Sequence, residues 1–288
     1  MREKRLPEWL RKRVPYHQDI NKTDKILKEL EINTVCRNAK CPNLRECFAR
    51  RTATFMILGN VCTRDCSFCA IKTGIPETVD VEEPRKIAKA VELLELRHVV
   101  ITSVTRDDLA EGGALQFVNT IRAIREINNN VTVEVLTPDF KHEKKALNRI
   151  AGAEPDVFNH NIETVPEMYK TVRPEALYDR SLKVIEYINN MKPEIYTKSG
   201  IMLGLGETEE QVIKVIEDLR GVECDILTIG QYLQPSKEHI EVKEYISPEQ
   251  FKKYKEIGLE MGFIHVASGP FVRSSFHAGD FFDDAGSL

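Results

Sequence analysis

Residues 52–69 read Thr-Ala-Thr-Phe-Met-Ile-Leu-Gly-Asn-Val-Cys-Thr-Arg-Asp-Cys-Ser-Phe-Cys. The first seven, Thr52 to Leu58, form a short apolar run of the kind that makes a buried strand. That run leads directly into Cys62, Cys66 and Cys69, so three thiols are placed in the loop after a strand. Outward from it, β-rich runs alternate with helix-like segments about every 30 residues, the rhythm of a parallel sheet. Five more candidate strands follow: His98 to Val104, Val131 to Leu136, Asp156 to Asn159, Tyr196 to Leu203 and Asp225 to Ile229. Between them, Ile87, Ala90, Val91 and Leu94 share one helical face, as do Val118, Ile121, Ile124 and the aliphatic stem of Arg125. Pro84 suits the first turn of one helix, and Ser247-Pro248 reads as a cap followed by a first-turn proline.

Six βα units in series predict an α/β fold, a partial (βα)6 barrel of the TIM type, with its active site at the C-terminal ends of the strands. The residues at those ends are polar or glycine-rich: Thr102 and Ser103 then Arg106, Asp107 and Asp108; Asn159, His160 and Asn161; Gly204 and Gly206 before Glu207. Residues 1–50 and 248–288 do not fit the repeat. They are assigned to an N-terminal extension and to a C-terminal helix and extension, both packed on a barrel that spans 51–247.

Composition narrows the function. The 288 residues carry 41 Lys+Arg against 45 Asp+Glu, a net charge of −4, which disfavours a nucleic-acid binder. Apolar residues make up 42% and 15 glycines are added to them, enough for a substantial core and against global disorder. No apolar run approaches the roughly 18 residues of a membrane span, and no apolar secretory stretch opens the chain. The first 13 residues are basic, but Glu3 and Glu8 lie among them and the first serine is Ser67, unlike a transit peptide. A cytoplasmic location follows.

Of seven cysteines, six lie between Cys36 and Cys69, and only Cys224 lies elsewhere. In a chain without an export signal, clustered thiols point to metal or redox work rather than disulfides. Three thiolates on a 4Fe-4S cluster leave one iron with an open position, by the logic that separates catalytic from structural zinc. The competing reading is half of a zinc site, which wants pairs adding up to four ligands. Cys36, Cys41 and Cys47 form a second three-thiol set. Six thiols fit two three-ligand clusters as naturally as one zinc and two spares. Two clusters with one open iron need seven protein ligands, and the seventh could be Cys224, a histidine or a serine. Cys224, just before the sixth strand, also reads as a small core thiol.

The pattern Cys62-x3-Cys66-x2-Cys69, with Phe68 before the last cysteine, resembles the signature of radical S-adenosylmethionine (SAM) enzymes. Together with Cys36-x4-Cys41-x5-Cys47 and with Arg273-Ser274-Ser275-Phe276-His277-Ala278 near the C-terminus, it resembles the lipoyl synthase family. The likeness spans nearly the whole chain, including Val157 to Thr164 and Lys198 to Glu207. The family motif usually has Tyr where this chain has Phe276, which removes a hydroxyl but leaves both serines.

The resemblance implies a partial barrel of the radical SAM type holding two 4Fe-4S clusters and SAM. Cys62, Cys66 and Cys69 would hold the SAM-binding cluster; Cys36, Cys41, Cys47 and Ser275 would hold an auxiliary cluster. An alkoxide is a hard donor, poorly matched to an iron–sulfur site, so the Ser275 bond suits a cluster that must be dismantled. The implied reaction inserts two sulfur atoms at carbons 6 and 8 of an octanoyl chain carried on a lysine of a lipoyl carrier domain. Those C–H bonds are beyond general acid–base chemistry, so a SAM-derived radical removes each hydrogen and the auxiliary cluster supplies sulfur.

The implied partners are octanoylated lipoyl domains of 2-oxoacid dehydrogenase complexes, the glycine cleavage H protein, reduced ferredoxin or flavodoxin as electron source, and an iron–sulfur carrier protein for cluster repair. Phe68 in the cysteine motif and Ser103, Asn159 and Glu163 at predicted strand ends are candidate SAM contacts; for the last three, loop hydrogen bonding or helix capping are the ordinary alternatives. His160 faces the cavity or satisfies a loop carbonyl. Arg273 steers Ser275 or meets the substrate peptide, unless it makes an ordinary ion pair. Arg11, Lys12 and Arg13 suit an acidic carrier domain or simply a solvated terminus. Rival readings are another sulfur-inserting radical SAM enzyme and a zinc-stabilised binding module without catalysis.

Overall fold

The computed structural model describes residues 6–11 and 18–285. Lys12 and Arg13 of the basic N-terminal stretch lie outside them. Strand β1 spans Thr54–Ile57, and the short strands β2 (Val61–Cys62) and β3 (Lys72–Thr73) pair in parallel just beyond it. The barrel continues through β4 (His98–Ser103), β5 (Thr132–Leu136), β6 (Val157–Asn159), β7 (Tyr196–Leu203), β8 (Ile226–Gln231) and β9 (His265–Gly269). The main sheet has the order β1-β4-β5-β6-β7-β8-β9, and every neighbouring pair is parallel. All six predicted strands are present, with no end moved by more than two residues and Tyr196–Leu203 unchanged.

The seventh strand, β9, was not predicted. His265-Val-Ala-Ser-Gly269 is short and small-residued, and only Val266 is buried in it, so it carries no apolar run to read. Helix α10 (Pro248–Glu260) and β9 therefore continue the βα repeat past residue 247, and the extension proper begins after Gly269.

Helices cover the outer face because each presents one apolar stripe. In α4 (Glu83–Leu94), Ile87, Ala90, Val91 and Leu94 are buried as the spacing predicts, and Pro84 sits in the first turn. In α5 (Ala114–Ile127), Val118, Ile121 and Ile124 do the same. Burying a side chain of this size contributes about 1.5–3 kcal/mol. Further round, α6 spans Lys144–Ala151, α7 Tyr169–Val172, α8 Tyr178–Met191 and α9 Glu209–Gly221. Ser247 caps α10 by accepting from the Gln250 amide, with Pro248 as its first residue.

The N-terminal extension holds α1 (Gln18–Glu29), α2 (Val35–Asn38) and α3 (Leu44–Ala49). It packs on the edge strand β1. Thr34 bridges Phe55, the Met56 amide donates to Asn33 O at 2.9 Å, and Leu27 and Phe48 are fully buried in the same core as the strands. The C-terminal chain after β9 runs the other way, along the barrel from the C-terminal ends of the strands to their N-terminal ends. Ser274 lies beside Asn159 at the end of β6. Phe281 and Phe282, in α11 (Asp280–Ala285), stack on Tyr196, His265 and His98, the first residues of β7, β9 and β4. No described helix is long and apolar enough to cross a membrane.

Candidate active site

A cavity of about 490 Å³ opens among the loops at the C-terminal ends of the strands. All six clustered cysteines line it, together with Ser275. Each of the six is a free thiol.

The loop carrying Cys62, Cys66 and Cys69 is clamped from several sides. The β2–β3 pairing fixes Cys62, the Cys69 amide donates to Cys66 O at 3.0 Å, and the Ser67 amide donates to Val172 O at 3.1 Å. Arg64, buried between two of the cysteines, donates to Asp107 at 2.8 and 3.0 Å and to Asp139 at 2.8 Å; Arg180 reaches the other oxygen of Asp139 at 2.8 Å. The Arg64 guanidinium holds the Asp139 carboxyl well below the usual carboxylate range against the opposing effect of burial. A chelating loop held this way needs little reorganisation to bind its ligand.

Cys36, Cys41 and Cys47 come from α2, α3 and the turn between them. The Cys41 amide donates to Cys36 O at 3.1 Å, and Thr52 Oγ1 donates to Cys47 O at 2.9 Å. Asn43 Nδ2 donates to Phe271 O at 2.7 Å and ties this turn to the C-terminal segment.

Burial pushes the Cys36 and Cys66 thiols up to about 11 and those of Cys47 and Cys69 up to about 12. Thiols of the same triad add to these shifts, Cys41 on Cys36, Cys36 and Cys41 on Cys47, Cys62 on Cys66, and Cys66 with Cys62 on Cys69, and so do the carboxylates Glu46 on Cys47, Glu163 and Glu175 on Cys66, and Glu163 on Cys69. Two separate three-thiol groups therefore face one cavity. Among the described residues no three such donors converge on a single-ion position; a 4Fe-4S cluster takes each thiolate on a different iron, so its ligands surround a volume. The donors fit two clusters, thiolate being the soft ligand such irons prefer.

Two residues of the cavity lining carry buried polar atoms without partners. Ser103 Oγ and Arg173 Nε are buried and make no hydrogen bond to any described residue. Arg173 otherwise donates through Nη1 to Asn161 O at 2.9 Å and Ile162 O at 3.1 Å. Glu163, at φ 68°, accepts from Asn161 Nδ2 at 3.1 Å; burial pushes its carboxyl up while Arg173 pulls it back. Phe68, Ser103 and Glu163 thus lie on the wall where a cofactor's polar groups would be met.

Asn159 does not lie there. It is fully buried behind the wall, and its amide nitrogen serves Glu134 and Ser274, both at 2.7 Å. That placement departs from the expected SAM contact. His160 bonds Thr137 O through Nδ1 at 2.9 Å and Ser181 Oγ through Nε2 at 3.0 Å, so both ring nitrogens are engaged in the wall. Cys224 is a fully buried core thiol.

Three residues that sequence reading gave no role are drawn into the site: Arg173, Asn161 and Ser274. Asn161 stands two residues from Asn159 in the same strand-end segment, and Ser274 precedes Ser275. Arg173 follows α7, away from any motif, and only folding brings its charge within reach of Cys66.

The site and barrel define a radical SAM protein, and the description "Radical SAM superfamily" matches residues 56–219. The "N-terminal domain of lipoyl synthase of Radical_SAM family" matches residues 1–41. Lipoyl synthase of Caldanaerobacter subterraneus subsp. tengcongensis is 58% identical over 274 residues, covering 95% of this chain and 96% of that one. The lipoyl synthase of Caldicellulosiruptor saccharolyticus is 53% identical, with 96% and 98% covered. The chain belongs to the lipoyl synthase family and is an enzyme of that family. Among solved structures, methylornithine synthase superposes with a TM-score of 0.56 at 16% identity, covering 90% of this chain and 85% of that one. Streptococcus suis SuiB bound to S-adenosylmethionine gives 0.55 at 11% identity, covering 76% and 50%. These two share the fold.

Proposed function

We propose that this enzyme inserts two sulfur atoms at carbons 6 and 8 of an octanoyl chain attached to a lysine of a lipoyl carrier domain. Cys62, Cys66 and Cys69 hold the SAM-binding 4Fe-4S cluster. Cys36, Cys41, Cys47 and Ser275 hold the auxiliary cluster that donates sulfur. The supporting observation is that both triads and Ser275 line one cavity with all six thiols free. When bound, SAM and the clusters supply a carbon-centred radical able to open an unactivated C–H bond, and the sulfide that replaces the hydrogen.

The protein's own residues bind, orient and shield. Ser103 and Glu163 hold SAM polar groups, Phe68 offers SAM an apolar surface, and Arg173 stands beside Glu163 with an unpaired Nε. Ile71, Val104, Leu136 and Ile201 give the cavity apolar lining that suits an alkyl chain. Octanoylated domains of 2-oxoacid dehydrogenase complexes and the glycine cleavage H protein are the substrates, reduced ferredoxin or flavodoxin the electron source, and an iron–sulfur carrier protein restores the auxiliary cluster. The deciding experiment is mass spectrometry of an octanoyl-lysine peptide incubated anaerobically with the reconstituted enzyme, SAM and reductant. Gain of two sulfurs with two 5′-deoxyadenosines supports the reading; deoxyadenosine without sulfur in the peptide, or protein that holds zinc and no acid-labile sulfide, refutes it.

A further inference from the structure

The two adjacent serines of the C-terminal motif are held very differently. Ser274 Oγ accepts from Asn159 Nδ2 at 2.7 Å and donates to Asn161 Oδ1 at 3.0 Å. The hydroxyl of Ser275 makes no hydrogen bond to any described residue and faces the cavity.

The orientation of this chain of bonds is fixed from the barrel core. Glu134 is 1% exposed and takes Lys198 Nζ at 2.8 and 3.0 Å. As an ionised carboxylate it can only accept, so the Asn159 amide must turn its NH2 toward it. One amide hydrogen goes to Glu134 and the other is aimed at Ser274, which makes Ser274 an acceptor on that side. The single proton of Ser274 is then directed to Asn161, whose oxygen faces it because its own NH2 is given to Glu163 Oε1 at 3.1 Å. Lys198 and Asn159 both donate to Glu134, and from Asn159 outward the bonds run in one sense: Asn159 to Ser274, Ser274 to Asn161, Asn161 to Glu163.

Two strand glycines make room for this arrangement. A Cβ on Gly230, in β8, would collide with the carbonyl oxygen of Val272, and one on Gly200, in β7, would collide with Thr228 Oγ1 and Asn161 Oδ1. Glycine inside a strand weakens it unless close backbone approach requires it, and here residues 272–274 and the Asn161 side chain lie directly on the sheet.

We propose that Ser274 is a positioning residue: it docks the C-terminal segment on Asn159 and Asn161 so that the adjacent Ser275 hydroxyl is presented to the auxiliary-cluster position without a protein partner. The proposal rests on the reading of Ser275 as fourth ligand. A hard alkoxide on a soft site bonds weakly, so it cannot order the segment unaided; the anchor holds the hydroxyl near the iron before the bond forms.

The test uses full-length Ser274→Ala and Ser274→Thr, the latter keeping the hydroxyl. Amide hydrogen exchange over residues 270–279 is followed in protein stripped of clusters. In chains with Cys62, Cys66 and Cys69 also replaced by Ala, paramagnetic resonance reads how much auxiliary cluster is oxidised to a three-iron form at fixed oxidant. Ser274→Ala should raise exchange by about tenfold, the scale of losing one or two buried hydrogen bonds, and increase the three-iron form several-fold; Ser274→Thr should restore both. Unchanged exchange in Ser274→Ala overturns the anchor, and raised exchange with an unchanged three-iron yield overturns its positioning role. A Ser275→Ala chain with unaltered exchange and unaltered three-iron yield refutes Ser275 as ligand, while the Ser274→Ala exchange result still decides the anchor.

Discussion

Arg64 and Asp139 show how single residues prepare a chelating loop. Arg64 stands between Cys62 and Cys66 and is 6% exposed, with both of its carboxylate partners drawn from other loops. Removing one member of a buried ionic group leaves the others uncompensated, at a cost of about 3–5 kcal/mol. Asp139→Ala, which leaves Arg64 with Asp107 alone and Arg180 without its carboxylate, should therefore lower the unfolding free energy read by urea denaturation by up to about that amount and weaken retention of the SAM-binding cluster. Wild-type stability and iron content would contradict this. At Ser275 the expected effect is chemical. Ser275→Ala should lower lipoyl product far more than it lowers 5′-deoxyadenosine formation, and equal losses in the two assays would count against its role as the labile ligand.

At the scale of elements, helix ends and strand glycines set what the loops can do. Helix α9 starts with a full capping box: Thr208 Oγ1 accepts from the Gln211 amide and the Gln211 side chain accepts from the Thr208 amide. Just before it, Glu207 accepts from the amides of Gly204, Leu205 and Gly206, closing the glycine turn that ends β7. Thr208→Ala should cost about 1 kcal/mol, read by denaturant unfolding, with cluster spectra unchanged because the box lies outside the cavity. A shifted spectrum would place the turn in the site. Strand elements were legible from sequence wherever an apolar run existed, as in Thr54–Ile57 and Tyr196–Leu203. They were not legible at His265–Gly269, where β9 is specified by pairing with β8 and packing against α10 rather than by its own composition.

For the molecule as a whole, buried titrating groups predict how stability responds to acid. Burial is the chief reason the His160 imidazole falls to about 4, and Lys198 and His98 hold the Glu134 carboxyl down to about 2 against the effect of its burial. Both folded-state values lie below the unfolded ones. The unfolded chain therefore binds protons first as pH falls, and stability declines from about pH 6.5 downward through His160 and further below about 4.5 through Glu134. The His160 part amounts to about 3 kcal/mol between about pH 6.5 and 4. Anaerobic urea titrations from about pH 7 to about pH 5 should show this decline, and His160→Gln should flatten it; an unaltered slope in the variant would exclude His160 as its source.

By itself the sequence determined the rhythm of the barrel and the grouping of six thiols into two sets of three, because strand and helix periods and cysteine spacing are written in neighbouring residues. It also showed that six clustered thiols fall one ligand short of two clusters with an open iron. Which groups complete and support the cavity was decided only in three dimensions. Arg173 acting on Cys66, Asn159 behind the wall rather than on it, and Ser274 bonded to Asn159 across 115 positions depend on how distant segments pack together. Hydrogen bonds between distant residues leave no local periodicity, and their partners are fixed by the packing of the whole chain.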